Sequence, residues 1–138
     1  MKPPFNMKKP VIRLLLVWTL RLIAIHSICF GLSLIIFPCS VLEFFGFTIT
    51  QKFFATQGGV FHLIISYAYI VASMKIDQSK DLIILSCFTK FSATLFLFSY
   101  FIFGSQIPLI LLSGFLDGLM GLAILYFYML YMDRPDNR

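Results

Sequence analysis

The chain has 138 residues, enough for one domain, and is 59% hydrophobic with only 12% charged residues. Ordinary soluble domains carry roughly 25% charged residues, so this composition excludes a fold that covers itself against water and makes the bilayer the natural solvent. The net charge of +5 comes from cations at the ends of apolar runs, not from a basic stripe interleaved with aromatics, which excludes nucleic acid as a partner.

Residues 1–10, rich in proline and lysine, read as a short interfacial tail. An apolar run over 11–37 follows and stops at Pro38. It outlasts the apolar region of a signal peptide and lacks a small-residue cleavage site, so it is expected to be an uncleaved first span. Residues 38–52 form a loop, yet Val41, Leu42, Phe44, Phe45 and Phe47 are apolar. Such a segment is expected to lie in the membrane interface. A second span covers 53–74 and a polar linker covers 75–81. The third span covers 82–103, and a turn at Gly104 leads to the fourth at 107–131. Pro108 fits the first turn of that helix, where a missing N–H costs nothing. A polar tail runs from 133 to 138.

Each run exceeds the ~20 residues that cross a hydrocarbon core, and none alternates as a strand would. The expected fold is therefore an all-α membrane protein, a single integral-membrane domain built as an up-down bundle of four transmembrane helices. Lys2, Lys8, Lys9, Arg13, Lys75, Lys80, Arg134 and Arg138 fall on one side, and only Lys52 on the other. The positive-inside rule puts both termini in the cytoplasm.

Five ionisable residues lie inside the spans: Arg21, His26, His62, Lys90 and Asp117. A charge near the bilayer centre costs at least ~2.5–3.5 kcal/mol, so such residues face the bundle interior and often mark function. At about 100° per residue, His62 shares a face with Gly58, Ser66, Tyr69 and Ser73. Lys90 shares one with Ser86 and Thr94, Asp117 with Ser113 and Gly121, and His26 with Cys29 and Ser33. Lys90 and Asp117 stand on helices joined by a tight turn and are expected to pair. Arg21 points elsewhere and is expected to snorkel or anchor lipid. Gly114, Gly118 and Gly121 allow close helix approach, inside the bundle or between copies.

Pairing of helices by Lys90, Asp117, His62 and His26 is one reading of this cluster, and a site for a ligand, proton or ion is the other. A metal or haem between the two histidines is a further alternative, opposed by the cationic Lys90. Cys29, Cys39 and Cys87 show no paired spacing and read as small hydrophobes, with Cys39 open to an intermolecular disulfide. No soluble catalytic motif is present.

The basic start of the first helix, the Pro38 break and the loop of Leu42, Glu43, Phe44, Phe45 and Gly46 form a pattern. With Gly59 early in the second helix, Lys90 in the third and Asp117 in the fourth, it resembles the DoxX-like group of small four-helix bacterial membrane proteins. Where that group usually carries an arginine before the second-helix glycine, this chain has Thr56, Gln57 and Gly58. The resemblance covers most of the chain and implies a place in the bacterial inner membrane. It also implies a link to quinone-dependent redox enzymes.

The expected function is that of an accessory or binding protein with a buried polar site for a lipid-phase ligand, such as a quinone or a lipid headgroup. The alternatives are a membrane subunit of a quinone-linked redox enzyme and a structural or assembly partner, alone or as a homo-oligomer. Catalysis by the chain itself is not expected.

Overall fold

A computed structural model describes residues 8–49 and 51–133. The first tail up to residue 7 and the last five residues, with Lys2, Arg134 and Arg138, lie outside the described residues. The order of elements is α1 (Lys9–Ile36), α2 (Cys39–Phe44), α3 (Phe53–Met74), a 3-10 turn (Ile76–Gln78), α4 (Lys80–Phe103) and α5 (Pro108–Asp133). Four of these helices are long and apolar enough to cross a membrane.

Short connections make sequential helices antiparallel, and α1 packs on α3 and α5 while α4 packs on α5 and α3. The bundle is thus a closed ring of two hairpins, α1–α3 and α4–α5. The contact within each hairpin is extensive. Of the four neighbouring pairs of long helices, α3 and α4 touch least.

Small residues decide which faces meet. These helices are apolar all round, so burial of apolar surface does not by itself choose an inner face. A Cβ on Gly31 would lie 2.7 Å from the Gly59 carbonyl oxygen, and one on Gly59 would lie 2.6 Å from that of Gly31. The α1 and α3 backbones therefore touch at this crossing. In the second hairpin, Gly114 seats Phe98, Gly118 seats Thr94, and Gly121 seats Lys90 and Phe91. These three glycines serve packing within the bundle.

The ends are tied by polar contacts. Lys52 Nζ donates to the Ile35 carbonyl at 2.7 Å, a cation placed on the exposed carbonyls that close α1. Gly46 takes φ +91° to turn the chain after α2, a conformation costly to residues with a Cβ. At the opposite end, the 3-10 turn buries Ile76 and presents Asp77. Tyr131 donates its hydroxyl proton to Asp77. Arg13 Nη2 lies 3.6 Å from the same carboxylate, and Lys9 Nζ sits 5.2 Å from the Tyr131 ring centre. One acidic residue thus joins α1, the turn and α5. The linker, expected only to be polar, is an organised part of the bundle.

The core runs along the bundle axis through Ile12, Leu16, Leu20, Tyr69, Ile83 and Ile124. Outside it, large apolar side chains face outward on all four long helices, among them Leu22, Phe61, Phe88 and Leu122. The segment 38–49 carries Phe44, 84% exposed, beside Phe45.

Candidate functional site

Halfway along the α4–α5 hairpin, Lys90 Nζ donates to Asp117 Oδ1 at 2.5 Å. Lys90 is 2% exposed and Asp117 8%. Both are set by helical spacing: Ile83, Ser86 and Lys90 make the inner line of α4. Ile110, Gly114, Asp117, Gly121 and Ile124 make that of α5. The glycines flanking Asp117 bring α4 close, and Gly121 meets the Cβ of Lys90 itself. Close approach here allows a short, dry contact between the two charges.

From α3, Tyr69 places its ring centre 5.9 Å from Lys90 Nζ, within the reach of a cation–π contact. The Tyr69 hydroxyl is buried without a hydrogen-bond partner, as are Ser27 Oγ and His62 Nδ1. Three other buried serines satisfy themselves on their own helices: Ser66 on the Leu63 carbonyl, Ser73 on that of Ile70 and Ser86 on that of Leu82. Ser27 does not. A buried polar group left unpaired costs about 1–3 kcal/mol, so three of them in one interior are a feature to explain.

The four residues expected to converge do so unequally. Lys90 and Asp117 pair. His62 is half-buried on α3, with its Nδ1 buried. His26 is exposed on the outer side of α1, which corrects its expected place in the interior stripe. The inner line of α1 is Ile12, Leu16, Leu20, Ile23, Ser27 and Gly31. Ser27, next in sequence, occupies the position expected of His26, one residue step or about 100° around the helix. Phe30 separates the imidazoles. It stacks on His26 with ring centres 6.2 Å apart and meets His62 edge-on at 4.9 Å.

Arg21 is exposed, with its guanidinium 5.5 Å from the Trp18 ring centre, outside the interior group. The three cysteines are free. Among the described residues, no cluster of three or more His, Cys, Asp or Glu could hold a metal ion.

Tyr69 falls on the helical stripe of His62, whereas Ser27 is not among the residues that the sequence pattern singles out. A signal for Ser27 existed: it stands four residues before Gly31, the spacing of small residues that bring membrane helices together. The arrangement can offer hydrogen bonds of both senses beside a balanced pair of charges. In class, the chain is an all-helical bundle with four helices suited to crossing a membrane. No family model, curated protein or solved structure matches it.

Proposed function

We propose that the chain is a small multi-pass integral membrane protein that binds a lipid-phase molecule in its polar interior. One observation carries this reading: the buried Lys90–Asp117 pair shares the bundle interior with unpartnered polar atoms of Tyr69, Ser27 and His62. Interhelical polar contacts in membranes contribute only ~0.6 kcal/mol on average, while each charge costs ~2.5–3.5 kcal/mol to insert. Helix pairing alone therefore offsets little of that cost. The unpartnered atoms contribute nothing to pairing, whereas a bound polar group would satisfy them.

The α3–α4 seam, the loosest of the bundle, is the natural route from the lipid. The excess of cations beside the chain termini supports a cytoplasmic placement of both. The DoxX-like pattern supports a bacterial inner membrane. A proton path through the two histidines, which a redox subunit would use, finds less support. Phe30 lies against both rings, and no hydrogen bond joins them among the described residues.

The test is native mass spectrometry of the full chain purified in mild detergent. The wild type should carry a lipid-phase adduct that the charge-free double variant Lys90→Met/Asp117→Leu loses while keeping its helical circular dichroism. A bare wild-type protein, or an equal adduct on both, would sink the reading. A co-purified quinone or haem spectrum would instead favour the redox subunit.

A further inference from the structure

The charge balance of the interior narrows what it can hold, on the premise that it binds a lipid-phase molecule at all. Lys90 and Asp117 cancel each other. Other charged side chains stand elsewhere: Arg13 and Asp77 at one end, Lys52 at the other, and Arg21 outside on Trp18. The ion pair therefore brings no net charge to the interior. An anionic headgroup brought there would add one uncompensated charge to a medium of low dielectric, a heavy penalty. A neutral headgroup pays only to lose its hydrogen bonds to water, and the bundle can replace them.

The replacements are at hand. An ammonium has three donors, and Lys90 spends one on Asp117. Tyr69 and Ser27 each hold a hydroxyl with no partner, and both residues are fully buried. Tyr69 and Lys90 also belong to α3 and α4, the two helices whose seam is loosest.

We propose that the interior receives the neutral headgroup of an uncharged glycerolipid, a free hydroxyl with its ester carbonyls, and that the acyl chains leave through the α3–α4 seam. The Tyr69 hydroxyl and the free N–H groups of Lys90 donate to the carbonyl oxygens. Asp117 Oδ2 accepts from the lipid hydroxyl.

Two lipids with the same tails separate charge from shape: dioleoylglycerol and dioleoylphosphatidic acid. The full chain in detergent micelles is offered both in equal amounts, and adducts are read by native mass spectrometry. The wild type should retain dioleoylglycerol over phosphatidic acid by more than about tenfold, because an unmatched buried charge costs over a decade in affinity. Tyr69→Phe, which keeps both charges, should lower retention of dioleoylglycerol. Asp117→Asn leaves Lys90 unmatched and should turn the preference towards phosphatidic acid.

A wild type that prefers phosphatidic acid, or shows no preference, overturns the neutral-headgroup inference while leaving a binding site in place. So does a wild type that keeps neither lipid yet carries a co-purified adduct. No adduct of any kind overturns both.

Discussion

Removing one end of the Lys90–Asp117 pair leaves the other charge alone in an apolar interior, and breaking a buried pair in this way costs roughly 3–5 kcal/mol. Asp117→Ala and Lys90→Ala should each lower stability by about that amount in denaturant titrations of the detergent-solubilised protein. Replacing both charges by Met and Leu should cost far less than the sum, because no charge is stranded. Additive losses would mean that the two side chains do not act as a pair. The contact at the bundle end behaves differently. The Arg13 and Asp77 side chains are 46% and 62% exposed, and exposed pairs contribute ~0–1 kcal/mol. Arg13→Ala should therefore leave stability within about 1 kcal/mol of wild type. Asp77→Ala should cost more, since it also removes the hydrogen bond that the buried Tyr131 donates to this carboxylate.

Between helices, adjacent glycines should respond in opposite ways. A Cβ at Gly59 would lie 2.6 Å from the Gly31 carbonyl oxygen, whereas one at Gly58 meets only Leu34 Cδ1 at 3.8 Å. Gly59→Ala must push α1 and α3 apart and should destabilise by about 1–3 kcal/mol. Gly58→Ala should be neutral or stabilising by up to ~1 kcal/mol through helix propensity. Melting curves of the two variants compare them directly, and equal losses would refute the backbone crossing.

The same elements show what a sequence can reveal. Continuous apolar runs located the four long helices to within two residues at each end, because length and the polar breaks at Pro38, 75–81 and Gly104 leave little choice. The Lys90–Asp117 contact followed from helical spacing and a short turn. The inward face of α1 did not. Its outward face carries Leu14, Trp18, Leu22 and Ile25, as apolar as its inward face, so a lone histidine outweighed the smaller signal of Ser27 and Gly31. The knot of Arg13, Asp77 and Tyr131 joins residues far apart in sequence, and no local pattern announces it.

The molecule as a whole is apolar on its outside and sets the Lys90–Asp117 pair within an otherwise mostly apolar core, and an outer surface of this kind would drive association in water. Its two ends differ as well. Lys9, Arg13, Lys75 and Lys80 mark one, while Cys39 and the aromatic segment 38–49 mark the other. With Cys29 and Cys87 replaced by alanine, a membrane-impermeant maleimide should label Cys39 on intact cells. A cysteine placed at Gln78 should label only after permeabilisation. The reverse pattern would invert the proposed orientation.

Lys90 and Asp117 stand 27 residues apart on consecutive helices, and this has a consequence for biosynthesis. In the proposed membrane placement, α4 emerges from the ribosome with a lysine that has no counter-charge and would meet the full cost of an isolated cation in lipid. Asp117 arrives only with α5, so the third and fourth spans should integrate together as a preformed hairpin. A nascent chain ending at Gly104 should therefore leave α4 poorly integrated, although α4 alone is long and apolar enough to cross.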